Sequence, residues 1–185
     1  MEQVFTATYL AWIGLELWVI VRDRRRGAGS ADRRSTGVAL AFLVLAVITG
    51  LQLSDLSLLQ VHIGADSRLL AGTLTMWLGL ALRCWAIYSL GRYFTAVLRT
   101  EEHQPIVQSG PYKQIRHPSY AGALLSFAGL GLALGNWIGL AAMVALSFTG
   151  YVLRMDAEER VLLAAFGQRY RDYMRHTKRI IPFVY

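Results

Sequence analysis

Residues 110–159 read GPYKQIRHPSYAGALLSFAGLGLALGNWIGLAAMVALSFTGYVLRMDAEE. Two apolar runs, 119–134 and 137–153, are joined by little more than Gly135-Asn136. So short a link makes them a tight antiparallel helical hairpin. The hairpin is bracketed by two polar clusters, Gly110-Pro-Tyr-Lys-Gln-Ile-Arg-His-Pro-Ser-Tyr-Ala-Gly122 and Arg154-Met-Asp-Ala-Glu-Glu159. Polar and charged groups at the entrance of so apolar a helix cost stability, which makes them candidates for function.

Three further apolar runs precede the hairpin, at 5–21, 38–59 and 69–90. The chain of 185 residues is 55% hydrophobic and 17% charged, with a mean hydropathy of +0.38. Soluble domains lie nearer half apolar and a quarter charged. Each run approaches the roughly 20 residues that cross about 30 Å of hydrocarbon. The expected fold is therefore all-α: an integral membrane bundle of five transmembrane helices forming one domain over 1–185. Polar segments at 94–118 and 154–183 flank it. In the second of these, Leu162, Phe166, Tyr170 and Tyr173 recur at spacings of three and four, which predicts a C-terminal amphipathic helix at the membrane interface.

Lysine and arginine set the orientation. The loop 22–34 holds six arginines, 92–116 four basic residues, and the tail from Arg154 seven, against Arg68 alone on the other side. Positive-inside reasoning places the N-terminus outside and the C-terminus with both polar clusters in the cytoplasm. The net charge of +7 then reflects topology and attraction to anionic headgroups, not nucleic acid. The arginines follow the first run instead of preceding it, so that run reads as an anchor, not a cleaved signal. Cys84 is the single cysteine and lies inside the third run, which excludes an intrachain disulfide and a cysteine metal cluster. No metal site is expected. The chain has no room for a separate nucleotide-binding domain, so helix ends and the two polar segments must hold any soluble cofactor.

Within the first cluster, Pro118 suits the first turn of a helix, where its missing donor is not needed. Arg116 and His117 then stand at a helix start, whose unpaired backbone donors attract anions. A structural reading competes: a basic interfacial flank, a proline cap and a tyrosine in the aromatic belt. The Gly110-Pro111 turn and Tyr112 fold a loop over the helix mouth and favour the functional reading. In the second cluster Arg154 and Glu158 lie four apart on one helix face. They form either a weak ion pair or two ligands, a guanidinium for a carboxylate and a carboxylate for hydroxyl or ammonium groups. Glu16 and Arg83 interrupt apolar runs about two turns from their cytoplasmic ends. A structural pair is expected of them, ahead of a substrate role. Span four is rich in small residues, including Gly131-x-x-x-Gly135, which lets helices approach closely.

Taken together, Gln104-x-Ile106-Val107-x-x-Gly110-Pro-Tyr112, Arg116-His-Pro-Ser-Tyr-x-Gly122, Arg154-x-x-x-Glu158-Glu159 and Phe166-Gly-x-x-Tyr170-x-x-Tyr173 resemble the isoprenylcysteine carboxyl methyltransferase family. The resemblance covers roughly residues 94–183. It implies an integral-membrane methyltransferase dependent on S-adenosyl-L-methionine and a cofactor site made of Gln104, Pro105, Ile106, Val107, Tyr112, His117, Pro118, Ser119, Tyr120 and Glu158. Arg154 falls where the family's substrate-facing arginine stands, with Glu158 beside it in the catalytic set. One departure is that His103 lies one position away from the family's histidine, so either a shift of the loop brings His103 in or Gln104 makes the contact. The implied reaction is methyl transfer to the carboxylate of a lipidic substrate such as an isoprenylcysteine. That substrate would enter through a side opening towards lipid, while the cofactor enters from the cytoplasm. An alternative is N-methylation of a phospholipid amine, which needs a proton acceptor such as Glu158 or Glu159. A non-catalytic transporter or scaffold is the remaining class. Short spans without paired repeats argue against a transporter.

Overall fold

The computed structural model describes residues 1–24, 30–93 and 105–184, with the side chains of 22–24, 30–33 and 92 left aside. Six α-helices account for most of them: α1 (Glu2–Arg24), α2 (Ser30–Ser54), α3 (Ala65–Leu90), α4 (Pro118–Leu134), α5 (Trp137–Phe166) and α6 (Gln168–His176). No extended strand occurs among the described residues. α1, α2, α3 and α5 are long and apolar enough to cross a membrane, and α4 is a shorter apolar helix of 17 residues. The chain is a multi-pass membrane protein.

The core is the α3–α4 pair, and glycine makes it close. A Cβ on Gly79 would stand 2.5 Å from the Gly122 carbonyl oxygen, and one on Gly72 would stand 2.6 Å from that of Gly129. Small residues at these crossings bring the two backbones into contact, which is how helices gain packing energy where lipid removes the hydrophobic drive. The small residues of span four thus serve packing inside the chain. α2 lies along α5, where Gly150 faces Phe42 and Ala39, and α1 packs on α3. Trp12 of α1 closes this side, meeting Phe127 of α4 edge-on at 5.0 Å.

Two boundaries differ from those expected. The second apolar run does not continue to 59: α2 stops at Ser54, and Leu59 adopts φ +55. The segment beyond it is captured by Asn136, whose side-chain amide donates to the carbonyls of Leu56 and Leu58 while its oxygen caps α5 at Ile138 and Gly139. Satisfying those carbonyls across the hairpin turn outweighs continuing the helix. At the other end the apolar run to Leu153 and the helical pattern beyond it belong to one unbroken helix, α5. It runs on to Phe166 because its i, i+4 ladder needs no apolar side chains beyond the bilayer. The segment expected as one amphipathic helix is instead split by Gly167, at φ +54, between the last turns of α5 and the nine-residue α6. Tyr170 and Tyr173 are buried, and Leu162 and Phe166 are half-buried on α5.

Candidate active site

His117 is the N-cap of α4 and Pro118 its first residue, as the missing proline donor predicts. Upstream, Gly110–Lys113 forms a short 3-10 turn, with Gly110 at φ +58, that buries Pro111 and Tyr112. The tail returns beside this loop. Arg116 and His117 donate their backbone N–H to the carbonyls of Lys178 and Arg179, at 2.7 and 2.9 Å, and Lys178 donates to Gln114. The Tyr173 hydroxyl donates to the Tyr112 carbonyl at 2.7 Å. Residues 61 to 64 positions apart in sequence are thereby locked round one helix mouth.

Inside the mouth the rings of His117, Tyr120 and Tyr151 form a ladder, His117 on Tyr120 at 5.6 Å and Tyr120 on Tyr151 at 5.0 Å. The Tyr120 hydroxyl donates to Glu158 Oε2 at 2.9 Å, and His117 Nδ1 lies 3.8 Å from the same oxygen. Arg154, one turn before Glu158 on α5, donates to the Ser35 hydroxyl of α2. Of the residues singled out from sequence, Tyr112, His117, Pro118, Ser119, Tyr120, Arg154 and Glu158 therefore gather at one end of the bundle. Pro105, Ile106 and Val107 are in irregular backbone leading to it. Gln104 and His103 lie outside the described residues.

Two further features define the site. Glu159 is almost wholly buried and gathers two guanidinium groups and an imidazole: Arg116 Nε at 2.9 Å, His117 Nε2 at 3.1 Å and Arg179 at 2.7 Å. Arg179 also meets Asp156 at 2.8 Å, and Arg116 donates on to the carbonyls of Met174 and Thr177. Arg116 is therefore held by the protein's own carboxylate, and Glu159 is the keystone of the mouth. Nothing in the local sequence sets Glu159 apart from Glu158, and its partner Arg179 lies 20 residues away. Deeper in the bundle, Arg83 pairs with Glu16 at 2.6 Å and donates to the carbonyl and hydroxyl oxygens of Ser119 at 3.0 and 3.1 Å. The two ionisable residues of the apolar runs do pair, and through Ser119 they brace the first turn of α4.

Outside the spans, burial pushes the phenols of Tyr112, Tyr170 and Tyr173 up, and the nearby Glu158 carboxylate adds to this for Tyr112 and Tyr170. All three remain protonated donors at neutral pH. No group of acidic, histidine or cysteine side chains among the described residues is arranged to hold a metal ion.

These features define a helical membrane protein with a polar mouth clasped by its own tail. The sequence profile of the phospholipid methyltransferase family matches residues 67–169, and the chain belongs to that family. It is also similar to protein-S-isoprenylcysteine O-methyltransferase B of Arabidopsis thaliana, 37% identical over 109 residues, or 58% of this chain and 55% of the plant protein. The Saccharomyces cerevisiae protein-S-isoprenylcysteine O-methyltransferase is 26% identical over 154 residues, covering 82% of this chain and 64% of the yeast protein. A solved structure of a eukaryotic intramembrane Ras methyltransferase, isoprenylcysteine carboxyl methyltransferase, superposes with a TM-score of 0.53 at 26% identity, over 82% of this chain and 53% of that one. The family resemblance read from the motifs is thus supported independently by sequence and by fold. The chain spans about half the length of the plant relative and of the solved structure.

Proposed function

We propose that the chain is a membrane methyltransferase that uses S-adenosyl-L-methionine to methylate the carboxylate of a lipidic acceptor such as an isoprenylcysteine. The observation that carries this is the convergence of the Tyr120–Glu158 hydrogen bond with Arg154 at the start of α4. The arrangement fits the cofactor chemically. Glu158, half-buried, offers a carboxylate to an ammonium or to ribose hydroxyls, and the aromatic ladder offers π faces to a sulfonium and an adenine. The irregular backbone at 105–107 provides amide and carbonyl groups beside it. When bound, the cofactor supplies an electrophilic methyl group. Arg154 aligns the acceptor carboxylate, which is already ionised near neutral pH and needs no general base. Alignment alone supplies several kcal/mol, up to about ten. Five membrane crossings, with α4 as the fourth, put the mouth and the C-terminus in the cytoplasm and the N-terminus outside. The whole chain acts as one methyltransferase domain, and its partners are the bilayer, the cofactor and the lipidic acceptor.

A second reading, N-methylation of a phospholipid amine, is favoured by the family profile itself. In that reading Glu158 is the proton acceptor, because Glu159 is committed to Arg116, Arg179 and the His117 ring. Two measurements test the proposal. S-adenosylhomocysteine is titrated calorimetrically into detergent-purified protein, with micromolar affinity expected and lost in Tyr120→Ala and Glu158→Ala. Labelled methyl groups are then traced from cofactor to acceptor. Label released as methanol by mild alkali marks an ester, whereas alkali-stable label and a rate rising towards the amine pKa mark the amine reaction. A folded protein that binds no S-adenosylhomocysteine in either detergent or nanodiscs refutes both.

A further inference from the structure

An apolar cavity of about 590 Å³ lies on the bilayer-facing side of α3, α4 and α5, within the roughly 300–1,000 Å³ typical of ligand sites. Its walls include Trp85, Leu124, Ala128 and Phe148, and Lys113 and Gln114 stand at its roof. None of Tyr120, Tyr151, Arg154 and Glu158 lines it, so it is separate from the aromatic ladder. On α4, Phe127 points the other way, against Trp12 of α1.

The two ends of this groove differ in chemistry. Its long walls are side chains of membrane-spanning helices, and Leu125, Phe148 and Trp85 are open to the surroundings, as an acyl chain entering sideways requires. Its roof is the loop 110–115 together with Ile180, Ile181 and Pro182, at the basic end of the bundle. There Lys113 is exposed, and Lys178, also exposed, is tied by its backbone N–H to Gln114 beside it at 3.1 Å. No lining residue is acidic. Arg116 and Arg179, next in sequence to the roof segments, do not line the groove and are engaged by Glu159. A long apolar slot ending under an ammonium group matches one ligand class, an amphiphile with a hydrocarbon tail and an anionic head.

We propose that this groove holds an acyl chain of a bilayer phospholipid whose anionic phosphate-bearing head sits against Lys113. The lipid steadies the 110–115 loop from outside while the Tyr173 hydroxyl and the Lys178 backbone steady it from within. The test is native mass spectrometry of protein released from nanodiscs made of equal parts phosphatidylglycerol and phosphatidylcholine. One phosphatidylglycerol is expected to be retained in preference to phosphatidylcholine. Lys113→Glu, at an exposed position, should abolish that preference, and Ala128→Trp, which fills the slot, should abolish retention of either lipid. Arg175→Glu makes the same charge change on α6, away from the groove, and should leave the preference intact. Equal loss of preference in Arg175→Glu would reduce the effect to general surface charge and overturn the proposal. So would unchanged retention in Lys113→Glu. Displacement of phosphatidylglycerol by an isoprenylated cysteine would also overturn it, by making the groove the acceptor's entrance. Inorganic phosphate, which lacks the chain, should displace nothing.

Discussion

Replacing Glu159 by glutamine preserves shape and removes only the charge. The glutamine oxygen can still accept from Arg116 or His117, but its amide sets donors against Arg179 where Oε2 stood 2.7 Å away. A hydrogen bond to a charged group contributes about 1.5–3 kcal/mol, and removing one partner of a buried pair costs about 3–5 kcal/mol. Arg179 keeps Asp156 at 2.8 Å and Arg116 keeps two backbone carbonyls, which places the loss at the low end, about 3 kcal/mol. For a chain of this size each kcal/mol lowers the melting temperature by about 2–4 °C, so the variant should melt about 6–12 °C below wild type. The assay is tryptophan fluorescence during heating in detergent at one fixed scan rate. An order accompanies the magnitude. Arg116→Ala should cost more than Arg179→Ala, because Arg116 alone also ties down Met174 and Thr177. A Glu159→Gln midpoint within roughly 2 °C of wild type, equivalent to less than about 1 kcal/mol, would refute the keystone role.

Glu16→Gln and Arg83→Gln should each destabilise the bundle by comparable amounts, with the double variant far from additive. Full additivity in the same melting assay would dissolve the pair as a unit. Gly79→Ala drives a methyl group into the Gly122 carbonyl and should cost about 1–3 kcal/mol, measured as a lower melting temperature, whereas Gly14→Ala, which meets nothing within 4 Å, should be silent. Tyr173→Phe leaves the Tyr112 carbonyl without its 2.7 Å donor, a loss of about 1–2 kcal/mol. In calorimetry it should weaken S-adenosylhomocysteine binding by about tenfold while leaving the helical signal in circular dichroism intact.

The apolar runs made the helices legible, and Pro118 marked the start of α4 to the residue. Glu16 and Arg83 could be matched because a lone charge in each of two apolar runs, at similar depth, leaves few partners. The ends of α2 and α5 were not legible. One depends on Asn136, about 80 positions from the carbonyls it captures, and the other on the break at Gly167. The residues of the first cluster are named through the family resemblance, since their local sequence fits an interfacial flank as well as a site. The division of labour in the second cluster could not be read, since Glu158 and Glu159 are adjacent and alike, and only the returning tail makes one a structural anchor and leaves the other facing the mouth.

The brevity of α4 reaches beyond packing. Its 17 residues, at about 1.5 Å each, make a rod of about 26 Å, shorter than the roughly 30 Å of an average hydrocarbon layer. A helix of that length crossing such a layer is accommodated by local thinning of the bilayer or by its longer neighbours. Mismatch of this kind costs fractions of a kcal/mol per ångström, so the short α4 fits a thin bilayer better than a thick, ordered one.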